Sequence, residues 1–414
     1  MMVRNDCFPK GRTTSYTLVF FILLIVTRCF DLIILNNNLC TLLGATLLAF
    51  FYFSTKENNS HYKLWIGLIE LLILGSVFYS FLVNEQSFKD VFLVSYFAFG
   101  LASFFIFSYF KISYKNSIKI IKSFSLLFCI AYIFQWIVYP TEIFSGVRDT
   151  FSVNESQFRM RMSCSACSYC LFFWGLNDYM ISKKLINLLY MLLGILPFMI
   201  MGFRSLVLLS ILFAVYIFAR HLWKSRSQFI IYSFFLFLFV LVIIQLPIVQ
   251  EKYEEMISRQ GSEQTFDNED YVRYVSLAYY TDVTTKTEMA IGGGLPLVPK
   301  SLSSRNHYVS KFCKGYQMQL YWNDLGLIGF GFIFGFPSVI LITFLVFRTA
   351  LRSKEKQLLF IRATLLTIYL GSIFTSQELY RPGNFIFIGF LMYTEYIYHK
   401  EKNENRNINF SLRS

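Results

Sequence analysis

Long apolar runs separated by short polar stretches dominate the chain. Runs of about twenty residues recur to the end, each long enough to cross a hydrocarbon slab of roughly 30 Å as a helix, the form in which every backbone polar group is satisfied within the segment. The pattern predicts about twelve spans, at 15–35, 39–53, 64–83, 91–110, 123–139, 163–181, 185–202, 205–220, 229–247, 320–347, 357–375 and 384–399. The expected fold class is all-α: a polytopic transmembrane helical bundle forming a single integral membrane domain over residues 1–414. The one long polar interruption, residues 248–319, is expected to be a large, partly helical extracytoplasmic loop. No internal repeat, Pro/Gly/Ser linker or low-complexity tract divides the chain.

Composition leads to the same class. With 55% hydrophobic, 19% aromatic and only 15% charged residues, and 48 Phe in 414 positions, a water-soluble chain could not cover its core. A basic head (Arg4, Lys10, Arg12) precedes the first run, but the run is longer than a signal h-region and lacks a small-residue cleavage site. It therefore reads as a retained anchor. The net charge of +13 would suggest nucleic acid in a soluble protein. Here it reflects basic residues that hold loops in the cytosol, with no nucleic-acid partner implied. Of the 38 Lys and Arg, 22 fall in segments assigned to the cytosol and 6 in short outer segments, discounting the long loop. An even span count with that bias puts both termini inside and residues 248–319 outside.

Candidate chemistry gathers on the outer side. Arg204 interrupts the apolar stretch Leu196 to Phe218 where two spans should meet; it is either a snorkelling interfacial charge or a ligand for an anionic group. Arg159 and Arg161 stand before the sixth span, and an extended backbone would point both the same way. Arg148 reads as a solvated loop charge, and Arg273 is the fourth cation of the outer face. Guanidinium forks that stay charged suit a diphosphate, both bound and as a leaving group. In the loop, an acid-rich run (Gln250, Glu251, Lys252, Glu254, Glu255) is followed much later by Arg305 and Asn306. His307, the histidine assigned to the outside, is a candidate general base for a hydroxyl; Tyr308 or a loop carboxylate are substitutes, and a plain solvated histidine is the bland reading.

Other features read as structural. Asp267 to Asp270 is a hydrated acidic turn before it is a cation site, since oxygen ligands need geometry. Gly292, Gly293 and Gly294 form a tight turn with positive φ, or permit close approach to a ligand. Cys164, Cys167 and Cys170 have metal-like spacing but lack a fourth ligand, and read as a packing stripe. No metal and no cofactor is expected.

The residues also resemble a family, the bacterial O-antigen polymerase and O-antigen ligase group of integral membrane glycosyltransferases. The likeness rests on Gly202-Phe-Arg-Ser205 opening an apolar helix, on Arg273 followed by Gly292-Gly-Gly-Leu295, and on Tyr321-Trp-Asn-Asp-Leu-Gly-Leu-Ile-Gly329 entering the span after the loop. It covers about residues 150–335. The family's His-Asn pair would fall at Gly315, whereas His307, preceded by Asn306, lies eight residues earlier. The resemblance implies a metal-independent enzyme of the bacterial inner membrane, working on its outer face. Its donor would be glycan on undecaprenyl diphosphate, with a chain-length regulator and a flippase as further candidate partners. A polymerase, for O-antigen or capsule, transfers the growing chain to the next lipid-linked repeat unit, with Arg159, Arg161, Arg204 and Arg273 holding diphosphate and His307 as base. A ligase transfers the chain to lipid A core. A flippase is the alternative from another class. It predicts two related halves and charged mid-span residues, and here the charges within spans are few (among them Arg28, Asp31, Glu70, Asp178 and Arg362).

Overall fold

The computed structural model describes residues 11–28, 30, 37–55, 61–138, 141, 143–144, 148–149, 160–201, 204–222, 272–295, 318, 320, 322–373, 378–379 and 383–411. Over these residues the protein is helical. A two-residue antiparallel pairing sets Arg148–Asp149 against Met160–Arg161. In chain order the helices are α1 Gly11–Thr27, α2 Asn37–Ser54, α3 His61–Leu82, α4 Phe88–Tyr109 and α5 Tyr114–Ile137. There follow α6 Ala166–Ser182, α7 Ile186–Met201, α8 Arg204–Leu222, α9 Val272–Val283 and α10 Lys286–Ile291. Last come α11 Gly326–Phe334, α12 Phe336–Arg352, α13 Leu359–Gly371 and α14 Asn384–Ser411.

Among the described residues, four helices are long and apolar enough to cross a membrane: α3, α4, α5 and Ser205–Leu222 of α8. Shorter apolar helices cover Tyr16–Thr27, Asn38–Ser54 and Ile186–Pro197. The surface of α3 shows why these suit lipid. One face buries Tyr62, Ile66, Ile69, Ile73 and Val77, the spacing of a core stripe. The opposite face exposes Leu64, Leu71, Phe78 and Leu82, where a helix in water would carry polar residues. The stretch 229–247 lies outside the described residues.

α14 is the hub. Phe385 to Ile388 and Phe390 to Tyr393 are each at most 1% exposed, so this part of the helix is covered all round. Part of its cover is α4, which winds as a 3-10 helix over Tyr96–Ser103. There Gly100 lets the chains touch, since a Cβ would meet Ile386 N at 2.6 Å, and Ser103 Oγ donates to Ile386 O at 2.6 Å. The Ala102 N–H is accepted by Glu70 Oε1 at 3.1 Å. Within this contact Phe104, Phe107, Phe390, Tyr393 and Tyr396 pack ring against ring.

The expected single span 320–347 is instead two helices. The break is at Gly335, which has φ 81° and is followed by Phe336 and Pro337 at the start of α12. Its cause is a backbone crossing. The segment after α10 enters the bundle here, and Gly293 and Gly294 donate their N–H groups to Phe332 O (3.1 Å) and Ile333 O (2.9 Å), carbonyls that the helix end leaves free. Asn84 Nδ2 donates to Gly293 O at 3.0 Å. A Cβ on Gly335 would meet Ala290 O at 2.7 Å and one on Gly292 would meet Ile333 O at 2.5 Å. Residues 292–294 of the polar loop are thus threaded into the helices rather than resting on top of them.

The chain ends of the helices sort into two sets. One set joins the start of α3, the α4–α5, α6–α7 and α12–α13 turns, the end of α8 and the far part of α14, through bonds such as Tyr62–Glu395, Arg220–Lys354, Lys356–His221 and Tyr114–Glu401. The other joins the starts of α6, α8, α11 and α14 to the end of α13.

Candidate functional site

At the second set of ends, two helix starts meet around a carboxylate. Ser165 precedes α6 and Asn384 opens α14. Between them lies Glu378, with 0% exposure. Ser165 Oγ donates to Glu378 Oε2 at 2.6 Å and Tyr169 OH donates to the same oxygen at 3.3 Å. Asn384 Nδ2 donates to Glu378 O at 2.5 Å and to Ser165 Oγ at 3.0 Å, while Asn384 Oδ1 accepts the Ala166 N–H at 2.9 Å. A carboxylate between two helix N-termini faces the positive ends of both dipoles. Two hydroxyls hold its Oε2, and the Asn384 carboxamide pins its backbone carbonyl.

Neighbouring contacts tie this node to the arginine-bearing segments. Leu379 N donates to Ser372 Oγ at 2.7 Å, and Leu327 N donates to Ser372 O at 2.8 Å. Gly371 is so close to Leu206 that a Cβ would strike its Cδ2. Leu206 belongs to the first turn of α8, which Arg204 begins. Arg161 ends the extended bridge four residues before Ser165, and the register sets it opposite Arg148. Arg148, expected as a loop charge, is thus drawn into the same segment. Arg273 is half-buried in the first turn of α9; two turns on, Tyr280 OH donates to Leu320 O at 2.9 Å, just before the Trp322 entry to α11. The described backbone of Arg161, Arg204 and Arg273 therefore belongs to elements that join the bundle at one end. Arg159, Arg305, Asn306, His307, the acid-rich run from Gln250 and the Asp267–Asp270 turn lie outside the described residues.

The glycines have packing reasons. Gly292 (φ 94°) and Gly294 (φ 74°) hold the backbone crossing, so the turn has positive φ as expected and its close approach is to protein backbone. Gly326 (φ 59°) lies against Ser372 O, and Gly329 against Trp322 O, so the glycines of the Trp322–Gly329 stretch let α11 enter a tight corner. Cys164, Cys167 and Cys170 are buried, with the first two sulfurs 3.3 Å apart, and no group of three metal-ligating side chains occurs among the described residues. Of the charges expected in spans, Glu70 serves Ala102, Arg28 bonds Thr41, Asp178 accepts from Asn187, and Arg362 stacks on Tyr216 with its guanidinium 5.2 Å from the ring centre.

Sequence reasoning missed Glu378, Ser165, Tyr169 and Asn384. One cue was present: an acid followed by Pro382-Gly383-Asn384 just before an apolar run is a helix-start signal. Compared with models of protein families and with curated proteins, the chain matches none.

Proposed function

We propose that this protein is a polysaccharide repeat-unit polymerase of a bacterial inner membrane, acting on O-antigen or capsule glycan carried by undecaprenyl diphosphate. It has about twelve spans, both termini in the cytoplasm and its active face outside. The reading rests on the resemblance in Gly202–Ser205, Arg273 with Gly292–Leu295, and Tyr321–Gly329. One arrangement supports it: the elements bearing Arg161, Arg204 and Arg273 join the bundle at the end where Trp322–Leu325 leads into α11. An acceptor hydroxyl oxygen attacks the anomeric carbon of the donor chain and loses its proton to a base, for which His307 is the candidate. The bond from that carbon to diphosphate breaks, and undecaprenyl diphosphate leaves. The arginines hold the diphosphate and balance the charge that grows on it.

Deleting the gene and resolving surface glycan on a gel tests this. A single repeat unit on core is expected; lipid-linked long chains with bare core would instead mean a ligase, and cytosol-facing single units a flippase. Arg204→Ala should abolish polymer at unchanged protein level, whereas normal ladders from that variant would remove Arg204 from the mechanism.

A further inference from the structure

We propose that the edge formed by α5, α6 and α7 binds an anionic phospholipid, with the lipid phosphate held by Lys115, Lys119 and Lys122. This site belongs to the opposite end of the bundle from the arginine-bearing segments and does not depend on the polymerase reading. The three lysines follow one another at four- and three-residue spacing, which puts them in one stripe along the first turns of α5. Lys115 and Lys119 are exposed and Lys122 is half-buried.

Lys122 is the informative member. It lies about 12 Å along the helix from Tyr114, at 1.5 Å per residue, within a helix long and apolar enough to cross a membrane. Its Nζ lies 4.6 Å from the ring centre of Trp174 on α6 and 4.3 Å from that of Tyr190 on α7, and the two rings meet edge to face at 5.5 Å. Two aromatic faces stabilise a cation at this depth without neutralising it. Among the described residues none of the three lysines has an ion-pair partner. Asp178, one turn along α6 from Trp174, is taken up by Asn187 Nδ2 at 2.6 Å and Ser182 Oγ at 3.3 Å.

Beyond Lys122 the same stripe turns apolar, through Leu126, Ile130, Ile133 and Ile137, with Ile130 51% and Ile137 69% exposed. On α7 the exposed Leu189, Leu192 and Leu196 provide a second apolar wall. Cations at the head and a bare hydrocarbon track below match a phosphate ester with an acyl chain. A soluble anion has nothing to place on the track, and a zwitterionic lipid brings no net charge to the lysines. Each Lys near the membrane surface contributes about 1 kcal/mol towards an anionic lipid.

The test uses the full chain in detergent, with the apparent Kd for phosphatidylglycerol and for phosphatidylcholine measured by native mass spectrometry. The intact protein should prefer phosphatidylglycerol, and each of Lys115→Gln, Lys119→Gln and Lys122→Gln should weaken that preference about fivefold. Lys115 and Lys119 are exposed, so their variants report even if Lys122→Gln folds poorly. Lys354→Gln removes an exposed charge at the same end of the bundle and should leave the preference intact. Equal loss in Lys354→Gln, no loss in the three stripe variants, or displacement of the lipid by inorganic phosphate alone would overturn the proposal.

Discussion

Two carboxylates, each with 0% exposure, mark opposite ends of the bundle and are met by different sets of side chains. Glu395 on α14 receives Arg352 Nε at 2.6 Å, His399 Nε2 at 3.2 Å and Tyr62 OH at 2.6 Å, and so links α3, α12 and α14. Glu378 receives hydroxyls from Ser165 and Tyr169, and its loop is pinned by the Asn384 carboxamide. One end meets its buried charge with a guanidinium, Arg352, from a neighbouring helix. The other brings hydroxyl donors and helix dipoles to its carboxylate, beside the segments that carry Arg161, Arg204 and Arg273.

The largest effect expected concerns how the second end is threaded. At Gly292 a side chain would meet Ile333 O at 2.5 Å and Phe334 Cα at 2.6 Å, from a φ of 94°. Backbone strain and overpacking together make Gly292→Ala cost about 4 kcal/mol. Thermal unfolding in detergent should show the loss, and an unchanged midpoint would mean that the crossing at Gly335 is not a fixed part of the fold.

Next comes the ion-paired end. Arg352→Met leaves Glu395 buried beside an imidazole and a phenol, and should cost about 3 kcal/mol, the lower bound for a broken buried pair, because the Arg352 side chain is 39% exposed. At the Glu378 end, Ser165→Ala removes a donor to Glu378 and an acceptor for Asn384, an expected loss of about 2 kcal/mol. Ser168→Ala is the control, since Ser168 Oγ serves only the carbonyl of Ser165 at 2.7 Å. Equal midpoints for the two serine variants would dissolve the distinction between the ends.

The sequence showed the helices better than the node. Apolar runs predict where α3, α4 and α5 lie because lipid and core both demand apolar side chains, whichever face a residue takes. The break in 320–347 was signalled by Gly335-Phe-Pro337, yet its cause, a glycine segment from the polar loop, lies elsewhere in the chain. Glu395 stands in the otherwise apolar stretch 384–399 with His399 one turn on, and its partners Arg352 and Tyr62 come from other helices. Glu378 and Ser165 are 213 residues apart. Hydrogen bonds between such distant positions leave no periodic trace, and a single acid in a short loop looks like any solvated charge.

The smallest effect separates surface from interior at the ion-paired end. Lys402 Nζ bonds both oxygens of Glu355 at 2.6 Å and Tyr398 OH donates at 2.7 Å, with the Glu355 and Lys402 side chains 28% and 33% exposed. The Lys402 hydrogen bond holds the Glu355 carboxyl below its ordinary range. A lowered folded-state value means that this stabilisation is fully present above the unfolded value of about 4.3 and fades as pH falls through the folded value. Solvent screening limits it to about 0.5 kcal/mol. Lys402→Met should therefore lower the unfolding midpoint slightly at neutral pH, and the gap to the parent should close on acidification below about 4. It should also shrink with added salt, as exposed pairs are screened. A gap that persists in acid would mean that Lys402 acts through packing of its stem rather than through charge, leaving Glu395 as the site where ion pairing holds this end together.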